Sequence, residues 1–216
     1  DAECMGEVLG GLKEAATFVT QNLEWAERGR SNHYLADLAG LLFTSAALPR
    51  SPTTRTWMNF AAREMCSECI VQFHKDGGNY EGSTSYHRLS GELATYTIAL
   101  TEGLAAREPD IFKTIEPTTL DAMGVPLSDP AQPIDQILAK TTERLSSVLR
   151  FTHAMARPDG TIIQIGDTDS GRLFKLAPRL TENLDNPAGL PQEAQLHIDE
   201  LLDALSYITA QSQQSR

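Results

Sequence analysis

Cationic side chains are scarce in this chain. Its 18 lysines and arginines are set against 29 aspartates and glutamates, for a formal net charge of −11. A surface this short of positive field does not neutralise a phosphate backbone, which excludes generic nucleic-acid binding. Long apolar runs are missing too. Nowhere do about eighteen apolar residues follow one another, so no segment reads as a membrane span. The first residues show no basic region leading into an apolar core, and no signal peptide is visible. Cysteine is limited to Cys4, Cys66 and Cys69, which cannot all pair internally. Cys66 and Cys69 have a C-x-x-C spacing, but it falls inside an apolar-periodic segment with no second pair and no adjacent histidines. They read as small helix residues, and neither a metal nor a cofactor is expected.

What is present is an ordinary globular composition, 41% hydrophobic and 22% charged over 216 residues. That is one large domain or a piece of something larger, and it can bury a sizeable core. Residues 5–24 place Met5, Val8, Leu9, Leu12, Ala16, Val19 and Leu23 on one helical stripe. Gly29 stops that helix, and Ser31 caps a second with Leu35, Leu38, Ala39, Leu42 and Ala46 inward, ending before Pro49. A third begins at Thr53 or Thr54 and turns Trp57, Phe60, Ala61, Met65, Cys69 and Phe73 inward. A fourth follows Ser83 and runs to about Arg107. Residues 108–133 carry five prolines and read as an irregular excursion, with a short helix near Ile111–Ile115 or a functional lid. Pro133 opens a further helix carrying Ile134, Ile137, Leu138, Thr141, Leu145, Val148, Leu149 and Thr152. Thr161–Ile165 is β-like, and a last helix turns Leu196, Leu201, Leu202, Leu205 and Ile208 inward.

Two helices end in an aspartate-glycine turn, Asp76-Gly77 and Asp159-Gly160, and each turn leads into a polar loop. Stacked helix-pair units would produce that echo. Six or more helices are too many for a four-helix bundle. The expected fold is therefore all-α, an incomplete (α/α) toroid of helical hairpins with a few short strands in its loops.

Two stretches concentrate polar chemistry at helix beginnings. In Arg28-Gly29-Arg30-Ser31-Asn32-His33-Tyr34, Asn32 and His33 fall in the first turn of their helix. In Asp76–Leu89, DGGNYEGSTSYHRL, Tyr86 and His87 fall in the first turn of theirs. Two helices separated by one antiparallel partner run parallel and start on the same rim, so these four side chains can converge. More blandly, Asn32 is a cap, His33 a surface histidine, and Tyr86 the first member of an apolar stripe through Leu89, Leu93, Tyr96, Leu100 and Leu104.

SNHYLADLAGLLF, DGGNYEGSTSYHRL and, more loosely, PDGTIIQIGDTDSGR together resemble the heparinase II/III-like polysaccharide lyases. The resemblance implies a helical toroid normally followed by a β-sandwich domain. That domain supplies a further histidine or tyrosine to the cleft, and this chain has no run of strands after residue 175 to build it. It also implies β-elimination on a uronic-acid-containing polysaccharide, and a periplasmic or secreted location. In that reading Asn32 and His33 bind the uronate carboxylate, Tyr86 is the catalytic acid or base, and His87 stands beside it. Arg28, Arg30, Tyr80, Glu81, Arg88, Asp167 and Arg172 are the candidate substrate contacts. Donors on the carboxylate offset the charge that develops as the carbon-5 proton leaves. A phenol near a cation can move that proton or protonate the departing oxygen.

The alternatives are glycoside hydrolysis by loop carboxylates (Asp76, Glu81, Asp159, Asp167 and Asp169) and a non-catalytic polysaccharide-binding or biosynthetic accessory. The acidic net charge favours an unsulfated uronate polymer or a bacterial surface polysaccharide over heavily sulfated heparin. Asp167 and Asp169 have the look of a metal loop but lack the further oxygen ligands of a calcium hand. His74, His153 and His197 read as structural.

Overall fold

The computed structural model describes residues 2–27, 30–113, 132–168, 171–174, 180–181, 192–193 and 196–214. Its helices are α1 (Ala2–Gln21), α2 (Asn32–Ala47), α3 (Pro52–Gln72), α4 (Thr84–Arg107), α5 (Ile134–Met155) and α6 (Asp199–Gln214). A 3-10 turn, Pro109–Phe112, follows α4, and β1 (Leu180–Thr181) pairs antiparallel with β2 (Gln192–Glu193). The protein is all-α, as its periodicity implies. Among the described residues no helix is long and apolar enough to cross a membrane.

Capping chemistry sets the helix starts. Ser31 Oγ accepts from His33 N, Ser83 Oγ accepts from Tyr86 N, and Ser51 with Thr54 forms a reciprocal capping box ahead of Pro52. Proline is tolerated at that first helical position because its missing N–H would be unpaired there anyway. The expected start of α3 at Thr53 or Thr54 therefore moves back to Pro52.

Helix α4 packs against α2, α3, α5 and α6. This position explains why its single apolar stripe is a poor guide to its burial. Leu93 and Leu104 are buried, but so are Ser90, Glu92, Thr95, Thr97 and Thr101. A helix enclosed on most sides buries its small polar residues as well as its apolar ones. At the other extreme, α1 packs mainly against α2 among the described helices. Met5 and Val8, expected inward, are 58% and 52% exposed. The stripe of α1 is covered from Leu9 onward, where Leu9 and Leu12 are partly buried and Ala16 is buried.

The echo between the two aspartate-glycine turns is structural. After α3, His74 N donates to Gly78 O at 2.8 Å and Gly77 N to His74 O at 2.9 Å; after α5, Arg157 N donates to Thr161 O at 2.7 Å and Gly160 N to Arg157 O at 3.0 Å. Asp76 Oδ1 accepts from Gly78 N, and Asp159 Oδ1 accepts from Thr161 N. Bridges Phe73–Asn79 and Ala156–Ile162 close the two turns identically. Gly77 and Gly160 take φ values of 98° and 79°, the left-handed region that a side chain disfavours. The β-like run 161–165 thus contributes isolated bridges, not a strand. The short helix sought near Ile111–Ile115 is the 3-10 turn at Pro109–Phe112, and residues 114–131 lie outside the described residues.

Cys66 and Cys69 are both free and buried in α3. Burial pushes the Cys66 thiol up to about 12 and raises that of Cys69 as well, so neither offers a thiolate.

Candidate functional site

Antiparallel α3 brings the starts of α2 and α4 to one rim, and side chains on either side of it make the join. Asn32 N donates to Glu81 Oε1 at 2.8 Å, and Asn32 Nδ2 lies 3.2 and 3.0 Å from the two Glu81 oxygens. Glu81 belongs to the loop that leads into α4. The last turn of α3 meets the same place, where Gln72 Nε2 donates to Ser31 O at 3.2 Å. Behind it, Gln72 Nε2 and Arg30 reach the two oxygens of Glu68 at 2.9 and 2.7 Å. The Glu68 carboxyl is raised by burial against the lowering effect of Gln72 and Arg30. Arg30 also lies 5.8 Å from the centroid of the Trp25 ring. One turn deeper, Tyr34 donates to Glu64, and burial together with that carboxylate raises its phenol.

His87 faces inward. Its ring lies 5.9 Å from Phe73 and 5.1 Å from Phe151, and the residue is 2% exposed. Asn79 N donates to His87 Nδ1 at 3.3 Å, so the ring proton is on Nε2, which donates to Thr152 Oγ1 at 2.9 Å. The Thr152 hydroxyl in turn donates to Val148 O at 2.8 Å. Burial lowers the imidazole to about 4 from its ordinary 6.5, and the opposing pull of Asp76 is smaller. His87 is thus neutral, with both nitrogens engaged, and it ties the loop before α4 to α5.

This burial has a sign. Above pH 6.5 the ring is neutral whether the chain is folded or not, and His87 contributes no pH dependence. Between 6.5 and about 4 only the unfolded chain takes up the proton, so stability falls as pH falls. The expected loss is about 3 kcal/mol. Denaturant titrations of wild type and His87→Gln at a series of pH values check it: the variant should lack this part of the slope.

The other candidate residues separate clearly. His33 is exposed and pairs with Glu24 at 2.8 Å. Tyr86 is half-buried at the start of α4, and Tyr80 is 40% exposed. Arg88 is buried, so it does not reach the surface as a substrate contact. Arg172 is not open to the cleft either. Its side chain is 6% exposed and pairs with Glu92 and Glu200, each at 2.6 Å, which clamps α4 to α6. Asp167 acts through its backbone: Ser83 Oγ donates to Asp167 O at 2.6 Å. Thr84 N donates to Ile165 O nearby, so loop 163–167 braces the cap of α4. Arg28 and Asp169 lie outside the described residues.

The sequence reading assigned no site role to Glu64, Glu68, Gln72, Asn79 or Thr152. A signal for the first three was present. Glu64, Glu68 and Gln72 recur every four residues on α3, a polar stripe inside a buried helix. Among the described residues no group of three or more His, Cys, Asp or Glu could hold a metal. Two clefts lined by described residues open between α3 and α5, of about 210 and 400 Å3. Neither is lined by Asn32, His33, Tyr86 or His87.

The geometry defines an all-helical protein in which two capped helix starts, joined by an asparagine-glutamate contact, form one polar rim. Residues 2–125 match the family described as Heparinase II/III N-terminus. The match covers more than half of the chain, which belongs to this polysaccharide-lyase-related family. Comparison with the curated proteins and with the solved structures gave no match.

Proposed function

We propose that this protein is the helical domain of a polysaccharide lyase that cleaves a uronic-acid-containing polysaccharide by β-elimination. One observation supports the reading above the others: Asn32 and the loop leading to Tyr86 are hydrogen-bonded to each other across 49 residues of sequence. In this reading Asn32 and His33 neutralise the uronate carboxylate, which lowers the cost of drawing the carbon-5 proton away. Tyr86 transfers that proton or protonates the glycosidic oxygen as it leaves carbon-4. Arg30 and Tyr80 flank the sugar, and His87 positions the loop from behind. A β-sandwich domain elsewhere in the parent protein completes the cleft.

Hydrolysis by a carboxyl pair finds less support. It needs two facing carboxyl groups, one of them a raised acid. Glu81 is held by Asn32, while Asp76 and Asp159 accept from the backbone of their own turns. Asp159 is moreover held below the ordinary carboxylate range by Thr161.

Incubating the full-length enzyme with unsulfated uronate polymers tests the reading. Ultraviolet absorbance from the new carbon-4 to carbon-5 double bond is expected. New reducing ends without that chromophore would favour hydrolysis, and no cleavage of any uronate polymer would end the lyase reading.

A further inference from the structure

The carboxylate slot at the start of α2 is filled by the chain itself. Glu81 takes the backbone N–H of Asn32 and the Nδ2 of the same residue, the donors that a uronate carboxylate would use. A second carboxylate cannot share them, because two unit charges about 4 Å apart at a protein surface repel by roughly 4 kcal/mol. One of the two must leave.

Glu81 can leave. It is half-buried on a short loop whose neighbours Tyr80 and Gly82 are exposed. Its own N–H is held by Asn79 Oδ1 at 3.0 Å. The other end of that side chain, Asn79 Nδ2, is buried without a hydrogen-bond partner, and the residue is 7% exposed. An unpaired buried donor is costly. It leaves an unsatisfied amide on the same side chain that holds the Glu81 N–H.

We infer that Glu81 is the specificity-determining residue of this site, an internal carboxylate that the substrate must displace. The inference rests on the uronate-lyase reading above. A sugar carboxylate replaces the charge-assisted bonds of Glu81 with equivalent ones. A sugar hydroxyl makes only neutral bonds, roughly half as strong, and does not displace it. Glu81 therefore admits anionic sugars and rejects neutral ones. Asn32 binds the sugar carboxylate after displacement.

The test compares wild type and Glu81→Gln for binding of an unsulfated oligoglucuronate and of the neutral gluco-oligosaccharide of the same linkage, by calorimetry. Removing the competing charge should tighten oligoglucuronate binding about tenfold, as expected if Glu81 holds the site closed about nine-tenths of the time. The preference over the neutral sugar should narrow. Weaker or unchanged oligoglucuronate binding by the variant, with wild type binding normally, overturns the inference and leaves the lyase reading standing. If neither protein binds any uronate oligomer, the lyase reading falls and the inference with it. A readout on wild type alone guards against a variant that folds poorly. The Asn32 amide resonances should shift on adding oligoglucuronate and stay put with the neutral sugar; equal shifts with both overturn the inference.

Discussion

Tyr86→Phe in the full-length enzyme should lower kcat for uronate cleavage by about a thousandfold, within the range for loss of a proton-transferring group. KM should change little. The substitution removes only a hydroxyl. The ring keeps its half-buried place, and the backbone N–H of residue 86 still caps on Ser83 at 3.2 Å. Thermal unfolding should therefore match wild type, which separates lost chemistry from lost structure. The rate is read from the ultraviolet absorbance of the unsaturated product. A rise in KM at unchanged kcat would make Tyr86 a binding residue. Unchanged biological activity would favour the reading in which the protein binds polysaccharide without cutting it.

The largest stability loss is expected at Arg172→Ala. Arg172 stands between Glu92 and Glu200, and the Glu92 side chain is 0% exposed. Burial already raises the Glu92 carboxyl, and Arg172 is the foremost of the groups that pull it back, ahead of Leu173 N–H and Arg88. Without the guanidinium a nearly uncompensated charge remains inside, at a cost of about 3–5 kcal/mol. Denaturant midpoints measure this directly. The pH dependence gives a second signature. The folded-state pKa of Glu92 would rise further above its unfolded value, so the variant should regain stability as pH falls and the carboxyl is protonated. Replacing Glu92 and Arg172 together with apolar residues of similar volume should recover most of the loss, since what costs is the stranded charge.

How much of this was legible in the sequence depends on the range of the interaction. Caps are local, and Ser31 and Ser83 announced their helices correctly. The two aspartate-glycine turns were legible for the same reason, since a left-handed glycine after an Asx turn is fixed by adjacent residues. The shared rim followed from counting helix directions. The partners of the polar side chains did not. Arg172 had looked like a substrate contact because it lies in a polar, glycine-flanked loop, and nothing nearby in sequence points to Glu92, 80 positions earlier. His87 and Arg88 lie one and two residues past Tyr86, but a helix turns about 100° per residue, so neighbours of a surface residue can face the core. Burial of α4 on most sides removed the amphipathic contrast that would have shown which way each pointed. The exposed start of α1 is the opposite failure: an apolar stripe says that a face is greasy, and not what covers it.

The account depends on Asn32 and Tyr86 acting on one sugar ring. A crystal structure of the full-length Tyr86→Phe enzyme with an unsulfated uronate oligosaccharide tests this most directly. One uronate should be found with its carboxylate on Asn32 and its carbon-5 facing residue 86, with Glu81 displaced. An oligosaccharide seated elsewhere, for instance in the cleft between α3 and α5 beside Lys75 and Lys140, would contradict it.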